Sequence, residues 1–169
     1  MTRPLRIEYP GACYHVINRG NRGEHIFISE NDYRLFIERL SEFSELYDVV
    51  IHCYSLMSNH FHIMLTTRHA NLGRFMQSFS TSFTISINNR YNKPGHLFQG
   101  RYKAQIVESK LYKNDLSRYI HLNPVKIKSY ENLSLPVIKK HLHDYRWSSF
   151  HYYIGIRKKP DWLNRNFVL

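Results

Sequence analysis

Acidic side chains are scarce in this chain, long apolar runs are absent, and cysteine is nearly so, with only Cys13 and Cys53. The two thiols stand far apart and form no Cys-x-x-Cys pair, which argues against a disulfide or zinc-cysteine framework and fits two small, reduced core residues. The opening Met1-Thr2-Arg3-Pro4-Leu5-Arg6 runs into Ile7-Glu8-Tyr9-Pro10 without an apolar segment of signal or anchor length, so a cytoplasmic protein with no membrane partner is expected. No Gly-x-x-x-x-Gly-Lys-Ser/Thr loop occurs, and a nucleotide cofactor is not expected. Internal repeats and low-complexity segments are also missing.

What is present is basic and aromatic. Lys and Arg number 24 against 13 Asp and Glu, a formal net charge of +11, so the first expected partner is a polyanion. Aromatic residues make up 15% of the chain, including 13 Tyr and 10 Phe, and supply surface on which unpaired bases can stack. With 169 residues, 43% apolar and 22% charged, the composition is that of one domain with a sizeable core.

Ala12 to Ile17 reads as a first strand leading into the basic turn Arg19-Gly20-Asn21-Arg22-Gly23. Ser29 caps a helix whose apolar stripe is Tyr33, Phe36, Ile37, Leu40, Phe43 and Leu46. Val49 to Met57 and Phe61 to Thr66 form an antiparallel hairpin about Ser58-Asn59, with His60 at its exit. A second helix carries Leu72, Phe75, Met76, Phe79, Phe83 and Ile87 and ends in the polar break Asn88 to Gly95. A strand over Tyr102 to Val107 follows. The order β-α-β-β-α-β predicts an α+β fold of the ferredoxin-like split βαβ type, a four-stranded antiparallel sheet with helices on one face. A third helix, Leu111 to Leu122, stops near Asn123 because Pro124 disfavours helical geometry before it. The tail from Lys126 holds nine basic residues (Lys126, Lys128, Lys139, Lys140, Arg146, Arg157, Lys158, Lys159, Arg165) against three acidic ones.

Chemistry concentrates in two places. In a strand, His60 and His62 project to one side with Phe61 opposite, which makes a two-pronged imidazole ligand. On the third helix Tyr119 and Asn123 are four residues apart and share a face. A divalent ion held by two imidazoles and an amide oxygen would act as a Lewis acid on a phosphoryl group; the mixed donor set suits Mn2+, while Mg2+ binds such a set more weakly but is abundant. Tyrosine, with an ordinary pKa of about 10, needs a nearby cation such as Lys103 or Arg118 to favour its phenolate. Each feature also has a plainer explanation: polar residues on a half-exposed sheet, a core aromatic, a helix terminator. The pattern alone leaves Tyr112, Tyr130, Tyr145, Tyr152 and Tyr153 open beside Tyr119. His15, in the central first strand beside His60 and His62, reads first as structural.

Five segments in register carry a resemblance: Gly11-Ala12-Cys13-Tyr14-His15-Val16-Ile17-Asn18-Arg19-Gly20, Tyr54-Ser55-Leu56-Met57-Ser58-Asn59-His60-Phe61-His62, Phe98-Gln99-Gly100-Arg101-Tyr102-Lys103, Tyr119-Ile120-His121-Leu122-Asn123-Pro124-Val125-Lys126 and Tyr145-Arg146-Trp147-Ser148-Ser149. Over nearly its whole length the chain resembles REP-associated tyrosine transposases, of the HUH single-tyrosine superfamily. The resemblance implies that Tyr119 is the nucleophile and that His60 and His62 are metal ligands. Asn123 falls on the third ligand, where many relatives outside the REP-associated group carry the longer glutamine. It implies a metal-dependent (Mg2+ or Mn2+) endonuclease and strand transferase that attacks single-stranded DNA beside a hairpin, leaving a 5′-phosphotyrosine and a free 3′-hydroxyl. Residues 1–125 would be the catalytic domain and 126–169 a basic extension that packs on it and touches DNA; such a tail favours a monomer over the dimers of autonomous relatives. Arg19, Arg22, Arg101, Lys103, Arg118 and Lys126 are candidates for phosphate contacts, and Trp147 for stacking a base or docking the tail. Two rivals stand beside this reading: a non-catalytic nucleic-acid-binding module on the same scaffold, and a metal-dependent hydrolase in which water attacks.

The charge balance generates the first prediction. Affinity for single-stranded DNA, titrated across a salt series, falls with a log–log slope of about −0.7 per phosphate neutralised. A slope near zero removes the basic footprint.

Overall fold

The computed structural model describes residues 7–126 and 132–166, so Lys128 and Tyr130 lie outside the described residues. The scaffold runs β1 (Cys13–Arg19), α1 (Glu30–Leu46), β2 (Val49–Met57), β3 (His60–Thr67), α2 (Leu72–Tyr91) and β4 (Lys103–Ile106). Its strands form one antiparallel sheet in the order β2-β3-β1-β4, the split βαβ arrangement. After it come α3 (Lys110–Leu122), a 3-10 turn (Asn123–Val125), α4 (Leu135–Asp144) and the short α5 (Phe150–Tyr153).

Strand alternation divides the sheet into two chemically different faces. Ala12, just before β1, Tyr14 and Val16 of β1 and Phe61, Ile63 and Leu65 of β3 point into a core shared with Phe36 and Leu40 of α1 and Phe75, Phe79 and Phe83 of α2. Phe36 stands edge-on to Phe79 and Phe83, with ring centroids 4.8 and 5.1 Å away. Each fully buried aliphatic or Phe side chain contributes about 1.5–3 kcal/mol. The opposite face carries Cys13, Cys53 and Met64, which α3 covers with Leu116 and Ile120.

A β-bulge between Ile51 and Cys53 sets the phase of β2. Ile51, Tyr54 and Leu56 therefore join the main core while Cys53 joins the smaller one.

Several boundaries differ from the sequence reading. His60 belongs to β3 and pairs with Arg19. α2 continues through the expected polar break as far as Tyr91, because Asn92 supplies the left-handed residue (φ 47°) that ends it. Asn123 keeps helical dihedrals (φ −54°, ψ −38°) although proline follows. The 3-10 turn accommodates Pro124 near its start, where no N–H is needed, so Asn123 remains in phase with Tyr119 one turn earlier.

The C-terminal residues pack onto the edge of the sheet. The Leu56 N–H donates to the Trp147 carbonyl at 2.8 Å, Ser148 bridges to Ser55, and Leu163 is fully buried in the main core.

Asp32 ties the two scaffold helices together. Its fully buried carboxylate accepts from the backbone N–H groups of Ile28 and Ser29 (2.9 and 2.8 Å), from Tyr91 Oη (2.7 Å) and from Arg90 (2.5 Å). Burial alone would raise its pKa; the hydrogen bonds from Ser29, Tyr91, Ile28 and Arg90 outweigh burial and hold it below the ordinary carboxylate value. A depressed native pKa stabilises the fold above the unfolded value of about 4, and that stabilisation is lost as pH falls through the native value. Asp32→Asn should therefore cost about 2–4 kcal/mol at neutral pH in urea titrations, with the gap to wild type narrowing in acid. A gap that stays constant with pH contradicts the assignment.

Candidate active site

β1 and β3 place three imidazoles on the face that α3 crosses. The register pairs Ile17 with His62, His15 with Met64 and Arg19 with His60, so His15, His60 and His62 share that face. The His60 and His62 rings are nearly perpendicular, with centroids 5.2 Å apart, and His15 stacks on His62 at 5.2 Å. Tyr119 reaches them from α3, its ring edge-on to His62 and His15 at 5.6 and 6.1 Å. Asn123, one turn further along, brings Oδ1 to 3.4 Å from His60 Nε2. Tyr119, Asn123, His60 and His62 are thus gathered into one cluster. Of the competing tyrosines, Tyr145 and Tyr153 donate their hydroxyls to carbonyls of β2 at Leu56 and His52, Tyr152 packs against the main core, Tyr112 is exposed on α3, and Tyr130 lies outside the described residues.

All three imidazoles are held neutral at physiological pH. Burial drives His62 down to about 3, helped by His15, His60 and Lys126; burial takes His15 to about 4. His60 is lowered by burial and by Arg19, against a hydrogen bond with Asn123 that opposes the shift. Neutral imidazole is the form that donates a lone pair to a metal.

The donor chemistry around His60 fits a cation. Asn59 donates through its amide nitrogen to the Gly23 carbonyl at 3.3 Å, which leaves its Oδ1 to accept from His60 Nδ1 at 2.7 Å. A neutral His60 with its hydrogen on Nδ1 has a bare lone pair on Nε2, and that lone pair faces the Asn123 carbonyl oxygen. A bare imidazole nitrogen and an amide oxygen converging on one point are a donor set that fits a positive ion. Among the described residues no group of three or more His, Cys, Asp or Glu side chains could hold a metal, so an ion here would be held by two imidazoles and an amide oxygen.

A cleft of about 670 Å³ opens beside these residues, lined in part by Asn18, Arg19, Gln99, Arg101 and Lys103 together with His60 and His62. Three of the basic residues singled out by sequence therefore converge on the histidines. Lys126 extends its ammonium over the Tyr119 ring, 3.9 Å from the centroid. The others lie elsewhere. Arg22 lines a separate cleft with His25 and Tyr91, Arg118 is exposed and pairs with Asp115, and one face of Trp147 is stacked on Tyr33 at 4.5 Å. The turn that carries Arg22 depends on Gly20, where a Cβ would sit 2.1 Å from the Glu24 carbonyl oxygen.

Sequence reasoning missed two contributors. Asn59 was read only as half of a hairpin turn; its place beside His60 was the available signal. The second is the pair that anchors α3. Ser149 donates to the Tyr54 carbonyl (3.2 Å) and accepts from the Tyr54 N–H (2.9 Å) and His121 Nε2 (2.7 Å). His121 is buried, which lowers it to about 4, so it remains a neutral donor on Nε2, with Ser117 facing its Nδ1 at 3.5 Å. The link pins the helix that carries Tyr119 to β2.

A family model described as transposase, IS200-like, matches residues 9–123. The chain belongs to the IS200-like transposase family. Family membership makes it a DNA-cleaving enzyme of transposition. Among solved structures, it is similar to a REP-associated tyrosine transposase bound to a REP hairpin, at 16% identity over 95% of this chain and 89% of that one, with a TM-score of 0.71. It is also similar to a Deinococcus radiodurans R1 protein classed as a transposase (13% identity, 70% and 95% covered, TM-score 0.49) and to a bacterial tRNA(His) guanylyltransferase-like protein in complex with ATP (13%, 95% and 78%, TM-score 0.48). The first of these shows the shared α+β fold. Comparison with curated proteins finds no match. Among the described residues no helix of this transposase is long and apolar enough to cross a membrane.

The anchor on α3 yields a prediction. Ser149→Ala leaves the buried His121 N–H without its acceptor and should destabilise the protein by about 1–3 kcal/mol in urea denaturation. Ser149→Thr, which keeps the hydroxyl, should retain most of that stability.

Proposed function

We propose that this transposase is of the REP-associated type: it cleaves and rejoins single-stranded DNA beside a hairpin, with Tyr119 as nucleophile and a divalent ion, Mg2+ or Mn2+, held by His60, His62 and Asn123. The observation that carries the reading is the meeting of Tyr119 and Asn123, one helical turn apart on α3, with the neutral His60 and His62 of β3. Support for the DNA class comes from the net charge of +11, and support for the hairpin from the REP hairpin held by the solved structure that shares the fold.

Strand DNA enters the cleft with its phosphates against Arg19, Arg101 and Lys103, contacts that fix register rather than sequence. The Tyr119 oxygen attacks phosphorus; the bond from phosphorus to the 3′-oxygen breaks, giving a 5′-phosphotyrosine and a free 3′-hydroxyl. Tyr119 is 40% exposed, so its proton leaves to solvent. Lys126, over the phenol ring, stabilises the negative charge that develops as the proton departs. When bound, the ion supplies Lewis-acid polarisation of the scissile phosphate. Because the covalent link conserves the phosphodiester bond energy, a later attack by another 3′-hydroxyl restores the strand with no nucleotide cofactor. The enzyme acts as a monomer in the cytoplasm, with residues 126–169 and with Arg22, Arg118 and Trp147 contacting DNA outside the cleft.

Labelled hairpin DNA with a single-stranded flank, incubated with Mn2+ or chelator and run on a denaturing gel, tests this. Wild type should give a metal-dependent covalent adduct that Tyr119→Phe abolishes. Cleavage without an adduct would transfer the reaction to water, and binding without cleavage or adduct across a varied hairpin set would leave a non-catalytic binding module.

A further inference from the structure

We infer that His15 is a positioning residue for the metal centre: it accepts the Nδ1 hydrogen of His62 and so fixes the tautomer that leaves His62 Nε2 free to bind the ion. The inference rests on the metal site proposed above for His60, His62 and Asn123.

His15 Nε2 lies 3.0 Å from His62 Nδ1, between buried rings stacked with an interplanar angle of 21°. A hydrogen bond between two neutral imidazoles uses one hydrogen, which belongs to one ring or the other. If it belongs to His15, His62 accepts on Nδ1 and carries its own hydrogen on Nε2, which leaves no lone pair for a metal. If it belongs to His62, Nε2 is bare and His15 carries its hydrogen on Nδ1. Only the second arrangement makes His62 a ligand. An imidazole free in water has no such partner and is not held in one tautomer.

The neighbouring ligand follows the same construction. His60 Nδ1 donates to Asn59 Oδ1 at 2.7 Å, which bares its Nε2 toward Asn123. Each ring is therefore gripped at Nδ1 by a residue of the scaffold, Asn59 in the β2–β3 turn and His15 in β1. Outer partners of this sort orient metal-bound histidines, and their removal costs roughly 10–100-fold in metal affinity. His15 also meets the edge of Tyr119, so a substitution at this position must keep a ring or a comparable volume.

The test uses the full-length protein in three forms, wild type, His15→Phe and His15→Gln, with His60→Ala as control. Phe keeps the ring but cannot accept a hydrogen bond; Gln places a carbonyl oxygen near the position of Nε2. Free Mn2+ is measured by its electron paramagnetic resonance signal, melting temperature by circular dichroism, and the ring tautomers of metal-free wild type by long-range 1H–15N NMR. We expect His62 to carry its hydrogen on Nδ1, His15→Phe to bind Mn2+ about 10–100-fold more weakly at a near wild-type melting temperature, and His15→Gln to recover most of the affinity. A hydrogen on His62 Nε2 overturns the inference even if His15→Phe does not fold. So does Mn2+ binding by His15→Phe as tight as wild type while His60→Ala has lost it, and in that case the metal site itself stands. Wild type that binds no Mn2+ overturns the metal site and the role of His15 with it.

Discussion

The two-residue period of β3 is the constraint from which the rest follows. Phe61, Ile63 and Leu65 must face α1 and α2 to close the aromatic core, and once they do, His60 and His62 have no choice but the opposite face. A slip of one residue would bury imidazoles among phenylalanines and turn Phe61, Ile63 and Leu65 toward α3. Core packing and the placement of His60 and His62 are therefore fixed by one register, and the stability of the first protects the geometry of the second.

The opposite face would be an open sheet without α3. Leu116 and Ile120 seal the Cys13, Cys53 and Met64 patch, and the same helix, read three residues further along from each, offers Tyr119 and Asn123 to the histidines. Sealing the patch and presenting Tyr119 and Asn123 are carried on one element at adjacent angular positions. What holds that element at the right height is an atom of the C-terminal segment, Ser149 Oγ, bonded to both α3 and β2. The extension is consequently part of the structural frame around the site, quite apart from its charge.

Much of this was legible in the sequence because it depends on period. The strand alternation around His60 and His62, the stripe on α1 and the i, i+4 relation of Tyr119 and Asn123 are local properties, and the order of the elements suggested the sheet. The choice among thirteen tyrosines was not local. It depends on which hydroxyls the sheet edge engages: Tyr145 and Tyr153 bond to carbonyls nearly ninety or more positions away in sequence. The end of α3 at Leu122, with Asn123 as its cap, follows from Pro124 as read; the helical dihedrals that Asn123 keeps do not, and they arise because the following 3-10 turn accepts proline near its start. His15 looked structural because nothing in a single strand announces which neighbour on the next strand will share its hydrogen. Arg22, Arg118 and Trp147 show the converse: charge and aromaticity marked them, but the fold sets them away from the histidine cleft.

The bulge in β2 has a consequence for how this chain can change. Above it the strand faces the helices with Ile51, and below it with Tyr54 and Leu56, a spacing of three where the pleat alone allows two. Removing a single residue there would return the strand to even spacing and exchange Tyr54 and Leu56 with Ser55 and Met57 across the sheet. Ser55 lies opposite His62, so the exchange would set a bulky side chain against that imidazole. The length of β2 is thus quantised: over evolutionary time it can grow or shrink in pairs, but the odd residue must be kept.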